Sequence, residues 1–374
     1  MLRLKNIRTL DGSVLPDIDV DDGKDSSAER DMGELTAVPG YFDSHIHGSF
    51  GLDVSDGNAA DVVKMAQKLP SLGVSDFLPT LMTLDEEKIL KAAEAVSEAR
   101  ESLKVSDGAY AKIAGLRLEG PCLSPLKAGV QDPGSLVSAD RLKEIITGLE
   151  SGFPGLVKMI DVAPEIDGVI DLVREYEDRY VFSLAHSDCD YGKAFEFFEA
   201  GGKCLTHALN AVKPCLKREP GPLGAAFDHE ESYIEVICDG HHVDKTVLRM
   251  LFKLFDGRIA VISDAMRAAG MPDGTYDLGG TPVESRGGRT YFGPSGNLAG
   301  SVTDLSQESE RLLSYGISKN QIIRALTDTP KERLNVEKCG IFEDGNPDLN
   351  FVDDHLRLMC VISRGRLVTT GIML

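Results

Sequence analysis

Residues 41–50 read YFDSHIHGSF. A short apolar run, AVPGYF, ends here, and two histidines follow it one residue apart, His45 and His47. Residues at i and i+2 of a strand point to the same face. Such a pair is either part of a strand that ends in a turn or a pair of metal ligands. The other strand ends decide between the two.

Seven more apolar runs rich in β-branched residues follow AVPGYFDSH (37–45). They are DFLPTL (76–81), KIAGLRLEG (112–120), LVKMIDVAPE (156–165), YVFSLAH (180–186), GKCLTHA (202–208), YIEVICDG (233–240) and RIAVISDA (258–265). Stretches of helical period lie between and after them, at 59–73, 85–103, 138–149, 168–179, 190–200, 243–255, 303–315 and 319–329. Strands alternating with helices predict an α/β fold, a (β/α)8 TIM-like barrel, over an open doubly wound sheet. Both chain ends read differently, as short alternating runs between Gly and Asp turns. They predict a small β-sandwich accessory domain built from 1–38 and 346–374, with the barrel at 39–345. A turn-rich stretch at 279–300 predicts a hairpin or a longer excursion inserted after the eighth strand.

Six of the eight runs end in a side chain that can titrate or bind a metal: His45 and His47, Glu119, His186, His207, Asp239 and Asp264. In such a barrel the C-terminal strand ends share one mouth, where catalytic groups collect. A buried carboxylate is costly unless it is paired or metal-bound. Glu119 with His186 and His207 makes a one-carboxylate, two-histidine set, which suits a catalytic zinc with an open position for water. Asp264, on the rim opposite, can take a proton from that water and return it to a leaving group.

The chain has 374 residues and a formal net charge of −20, a field that repels nucleic acid and anionic membranes. Against that field Lys213, Lys217 and Arg218 form a local basic group just after His207, and arginine can fork onto phosphate oxygens. No run approaches the ~20 apolar residues of a membrane span. The N-terminus, MLRLKNIRTLDG, lacks an apolar signal core. Seven cysteines are scattered with no CxxC pair, which predicts a reducing cytoplasm.

The pattern resembles the amidohydrolase superfamily and, within it, the N-acetylglucosamine-6-phosphate deacetylase family. The resemblance spans nearly the whole chain. It rests on PGYFDSHIHG (39–48), LEGP (118–121), VAPE (162–165), AHSD, THALNA, REPGPLGAAFD (218–228), CDGHHV (238–243), ISDA (262–265) and LAGS (298–301). It implies that Glu119, His186 and His207 hold the catalytic metal, and that His45 and His47 help hold a second ion where one binds. The cofactor is then one or two divalent ions per subunit, zinc foremost, with iron or manganese as alternatives. Asp264 becomes general base and then general acid. Asn210 and Ala211 contact substrate, Arg218 and His242 its phosphate, and Leu298, Ala299 and Gly300 the sugar. Where the family carries a histidine, this chain has Gln131, which can donate to a developing oxyanion but carries no charge.

The expected function is metal-dependent hydrolysis of the N-acetyl amide of an amino sugar phosphate, most simply N-acetylglucosamine 6-phosphate. The expected partner is that small molecule, with no nucleic acid or membrane, in a homodimer. Two alternatives stand beside it. One is an amidohydrolase for a different N-acyl hexosamine phosphate or a cyclic amide. The other is a non-catalytic sugar-phosphate-binding protein.

Overall fold

The computed structural model describes residues 1–24, 28–293, 296–334, 342–343 and 346–368. Eight strands run in order around a barrel. They are β1 (Tyr41–Ile46), β2 (Val74–Leu81), β3 (Leu116–Glu119), β4 (Val157–Val162), β5 (Val181–Leu184), β6 (Cys204–Leu205), β7 (Tyr233–Val236) and β8 (Ile259–Val261). Each pairs in parallel with its successor. The ring closes where Ile46, the last residue of β1, forms a parallel bridge with Ala265, just beyond the end of β8. The Asp264 N–H donates to the His45 carbonyl at 2.9 Å, and the His47 N–H donates to the Ala265 carbonyl at 2.9 Å. Three residues expected to carry chemistry therefore also form the seam.

The helices are α1 (Ala59–Lys68), α2 (Glu86–Lys104), α3 (Ala139–Gly152), α4 (Val169–Tyr176), α5 (Tyr191–Glu199), α6 (Gly221–Asp228), α7 (Lys245–Leu254), α8 (Leu305–Ser314), α9 (Lys319–Leu326) and α10 (Asp328–Arg333). Side-chain caps set many of their starts, because a short polar side chain satisfies an otherwise orphaned N–H. Asn58, Asp85, Ser138, Asp190, Asp244, Asp304 and Ser318 each accept from the first turn of the helix that follows. Two features differ from the expectation. α6 is built from GPLGAAFD, whose two glycines and proline hide a helix from any propensity reading. The helix expected over 319–329 breaks at Thr327 (φ −130°, ψ −74°), and Pro330 is carried in the first turn of α10, where a missing N–H costs least.

Inside the barrel the side chains form layers, as period-2 alternation requires. Phe42, Leu78, Met159, Cys204, Tyr233 and Ala260 make an apolar floor with Leu334. Two residues further along the strands the interior turns polar. Arg117 is fully buried there. It donates to both oxygens of Asp161 at 3.0 and 2.9 Å and to both oxygens of Glu235 at 2.8 Å. It also donates to the Ser44 carbonyl and the Thr206 hydroxyl, each at 3.0 Å. One residue pair higher on β3 is Glu119, on the same face as Arg117.

Both chain ends meet in β structure. Thr36–Pro39 pairs in parallel with Arg8–Thr9 and antiparallel with Leu349–Val352, and Leu358–Ser363 and Arg366–Val368 complete that sheet. A second sheet orders Ile18–Val20, Leu2–Lys5 and Ala28–Asp31. Leu4, Val20, Ala37, Phe351 and Ile362 share one apolar cluster between the two sheets. Residue 345, at the expected boundary, and the tail 369–374 lie outside the described residues. The insertion is larger than a hairpin: Gly274–Leu278, Thr281–Arg286, Arg289–Phe292 and Asn297–Leu298 form a four-stranded antiparallel sheet. Among the described residues no helix is long and apolar enough to cross a membrane.

Burial alone would raise the pKa of Glu235, but Arg117 and His45 hold it at about 2. Asp161 is pushed up by burial in spite of Arg117. Glu235 thus stabilises the fold above its ordinary carboxylate range and loses that contribution as pH falls toward 2. Removing the shared cation leaves two buried carboxylates uncompensated. Arg117→Met is expected to lose about 3–5 kcal/mol of unfolding free energy at pH 7. The loss should shrink at pH 5, where the unpaired carboxylates can take up protons. Denaturant unfolding at both pH values measures it.

Candidate active site

His45 is the penultimate residue of β1 and His47 lies just beyond it, Glu119 ends β3, and His186, His207 and Asp264 lie past the ends of β5, β6 and β8. All six are buried. Gly48 follows the HxH pair because a Cβ there would stand 2.2 Å from the Leu52 carbonyl oxygen. His186 (φ 43°), His207 (φ 30°) and Asp264 (φ 48°) adopt left-handed backbone. That conformation is costly for residues other than glycine and clusters at functional sites. Here it has a geometric use. Thr206 points into the barrel toward Arg117 and Asp161, so simple alternation would turn His207 outward; the left-handed residue brings it back in.

The side chains converge on Glu119. Its Oε1 lies 3.1 Å from both His186 Nε2 and His207 Nε2. Its Oε2 lies 3.3 Å from His47 Nε2. Asp264 Oδ1 is 3.3 Å from His47 Nε2 and 3.5 Å from His45 Nε2, and the two Nε2 atoms are 3.1 Å apart. Three ligand sets result among the described residues: Glu119 with His186 and His207, His45 with His47 and Asp264, and, deeper in the barrel, His45 with Glu119 and Asp161, whose carboxylate is already paired with Arg117.

The donor set fits a cation. His186 Nδ1 faces the Lys127 carbonyl at 2.8 Å, and His47 Nδ1 faces the Thr80 carbonyl at 3.1 Å. A carbonyl only accepts, so both Nδ1 atoms carry a proton, and each ring turns its Nε2 toward a carboxylate. A nitrogen and a carboxylate oxygen facing one another at 3.1–3.3 Å need a proton or a metal ion between them, and without a cation it is the proton. Electrostatics agree. Burial would lower His47, but Asp264 and Glu119 push it up to about 10. Burial also opposes ionisation of Glu119, yet bonds from His186, His207 and His47 hold it well below the usual carboxylate range. His45 is lowered, by burial and then by the Arg117 cation beneath it. Asp264 is held below its ordinary value, with burial opposing and His45 and His47 prevailing.

The sites open into a cavity of about 250 Å³ lined by His47, Glu119, His186, His207 and Asp264. Asn210, Ala211, Gln131, His242, Leu298, Ala299 and Gly300 line it too. His45 lies beneath them. Arg218 is not brought in: it is exposed at the tip of a tight turn closed by a Leu216–Glu219 bridge. His242 donates through Nδ1 to Asp239 Oδ2 at 2.8 Å, which leaves Nε2 for the cavity. Asp239 is held at about 2; burial opposes this and the His242 bond overcomes it. Sequence reasoning missed the apolar wall of Met82, Val130, Ile237 and Leu278. It also missed Arg117, although its place two residues before Glu119 on one strand face was a usable signal.

At pH 8 the cation-free protein carries a proton on His47, because its pKa stands at about 10. A bound cation must displace it, so affinity falls as pH falls. Calorimetric titration of the metal-stripped protein in buffers of different ionisation enthalpy should give at least one proton released per ion. Glu119→Gln and His207→Asn should each weaken binding by more than the ~10–100-fold that outer partners of ligands cost.

No protein-family model matches the chain. Curated relatives do. The chain is 30% identical over 338 residues to N-acetylglucosamine-6-phosphate deacetylase of Bacillus subtilis (strain 168), covering 88% of this chain and 84% of that one. It is 32% identical over 317 residues to N-acetylgalactosamine-6-phosphate deacetylase of Escherichia coli O157:H7, covering 83% and 81%. Among solved structures, N-acetyl-D-glucosamine-6-phosphate deacetylase of Mycobacterium smegmatis in complex with N-acetyl-D-glucosamine-6-phosphate superposes with a TM-score of 0.86 at 26% identity, over 98% of this chain and 99% of that one. With the barrel, the six converging side chains and this extent of identity together, the chain belongs to the N-acetylglucosamine-6-phosphate deacetylase family.

Proposed function

We propose that the chain hydrolyses the N-acetyl amide of N-acetylglucosamine 6-phosphate, giving glucosamine 6-phosphate and acetate. One observation carries the reading. Glu119 Oε1 sits 3.1 Å from two histidine nitrogens, on the cavity floor at the C-terminal strand ends, with Asp264 beside it. A divalent cation bound by Glu119, His186 and His207, zinc foremost, would polarise the amide carbonyl and acidify the attacking water. Asp264, kept ionised by its histidine neighbours, takes the proton of that water. It then delivers the proton to the amide nitrogen as the C–N bond breaks, so the amine leaves neutral and the acyl group leaves as acetate.

The other residues orient the substrate. Asn210 and Ala211 contact the sugar from the β6 loop, and Leu298, Ala299 and Gly300 from the inserted sheet. His242, aligned by Asp239, and Arg218 bind the phosphate, although Arg218 stands outside the cavity lining. The Gln131 amide is already engaged by Glu119, so an oxyanion bond from it would use its second N–H. A homodimer acting in the cytoplasm belongs to the same reading. What supports the dimer is exposed Phe227, Met250 and Leu254 on the consecutive helices α6 and α7.

Acetate release should be faster from the 6-phosphate than from unphosphorylated N-acetylglucosamine; equal rates would sink the phosphate assignment. Faster release from N-acetylgalactosamine 6-phosphate would move the substrate to the isomer. No hydrolysis of any N-acyl hexosamine phosphate or cyclic amide by metal-loaded protein would leave a binding protein. Asp264→Asn should lower kcat about 10²–10⁴-fold. Arg218→Ala and His242→Ala should raise KM for the phosphorylated sugar while leaving kcat closer to wild type.

A further inference from the structure

Gln131 is buried, and both ends of its amide are committed. The Thr83 N–H donates to Gln131 Oε1 at 2.7 Å. A backbone N–H can only donate, so the amide atom facing it is oxygen, and the flipped assignment is excluded. The amide nitrogen therefore faces Glu119, and Nε2 donates to Oε2 at 2.5 Å. Thr83 completes the clamp, because its hydroxyl donates to the Glu119 carbonyl at 3.0 Å. Main chain and side chain of Glu119 are thus tied to the segment that follows β2.

The clamp divides the carboxylate. Oε1 serves His186 and His207. Oε2 is the oxygen turned toward the second set, 3.3 Å from His47 Nε2. A carboxylate that bridges two ions gives one oxygen to each. The Gln131 bond takes one lone pair of Oε2, draws charge from it and fixes the carboxylate plane.

We propose that Gln131 is a positioning residue that makes Glu119 a ligand through Oε1 alone, so that this chain holds one ion tightly rather than a bridged pair. His45 and His47 then frame that ion and hold Asp264, which stays free to carry its proton. A histidine at 131, as the family resemblance leads one to expect, has no single group that can both accept from Thr83 and donate to Glu119 side by side. The proposal rests on the metal-dependent reading above.

The test counts ions. Metal-stripped wild type and Gln131→Met are reloaded with excess Zn²⁺ and gel-filtered, and metal per chain is measured by mass spectrometry. Release to a chromogenic chelator is timed. Wild type should retain one ion per chain. Gln131→Met, of similar volume but unable to donate, should release it about 10–100-fold faster and accept a second ion at excess metal. The unfolding temperature of the metal-free variant should stay near wild type, which separates positioning from mere support. Two retained ions in wild type, or unchanged release in the variant, would overturn the proposal. Where Gln131→Met does not fold, Gln131→His carries the same readouts. No readout uses substrate, so a one-ion protein that releases no acetate would refute the proposed reaction and leave this inference standing.

Discussion

A single guanidinium at the centre of the barrel underlies the site. Arg117 is removed from water entirely and spends its donors on Asp161, Glu235, Ser44 and Thr206, which come from four other strands or strand ends. Taking such a charge out of water is expensive, and only a full set of partners offsets the cost. The cation and its two carboxylates therefore act as a spacer between the apolar floor and the ligand layer. Burial and then the same charge lower His45, which favours the neutral ring that a ligand needs.

Above that layer the backbone is strained where the chemistry is dense. His186, His207 and Asp264 are all left-handed, as are Leu209 and Ala211 in the loop after β6. Each such residue costs of order 1–3 kcal/mol. The seam bonds between Asp264 and His45 and between His47 and Ala265 help hold the strained ends in place. Closing the barrel and building the site are one event in this fold, because the same few residues do both.

Much of this was legible in the sequence. Six of the eight strands lie within the expected runs, β1 and β2 overrun theirs by one and two residues, and the residues that end the runs, His45, His47, Glu119, His186, His207 and Asp264, converge within a few ångströms. The reason is that apolar period and polar termination are local properties, and a barrel turns every strand end toward one mouth. Other features were not legible. α6 is hidden by its glycines and proline. The insertion was expected from residue 279 because its first strand, Gly274–Leu278, follows a loop rich in turn residues. That Arg218 would stand on an exposed turn outside the cavity lining was not legible either, because nothing in a motif reveals which side of a turn a side chain will take. The bonds that already engage Gln131 were not legible because its partners, Thr83 and Glu119, are distant in sequence.

The sequence alone determined the architecture and the identity of the converging groups, since these follow from periodicity, from residue chemistry and from where each run stops, and its motifs implied the reaction class through their family resemblance. Tertiary structure decided how those groups share their atoms. Which oxygen of Glu119 meets which histidine depends on left-handed turns that reverse the strand alternation at His207. It depends equally on a clamp reaching from Thr83 to Gln131 and on the charge of Arg117 below. Each of these is a contact between residues far apart in the chain, so no local pattern encodes it.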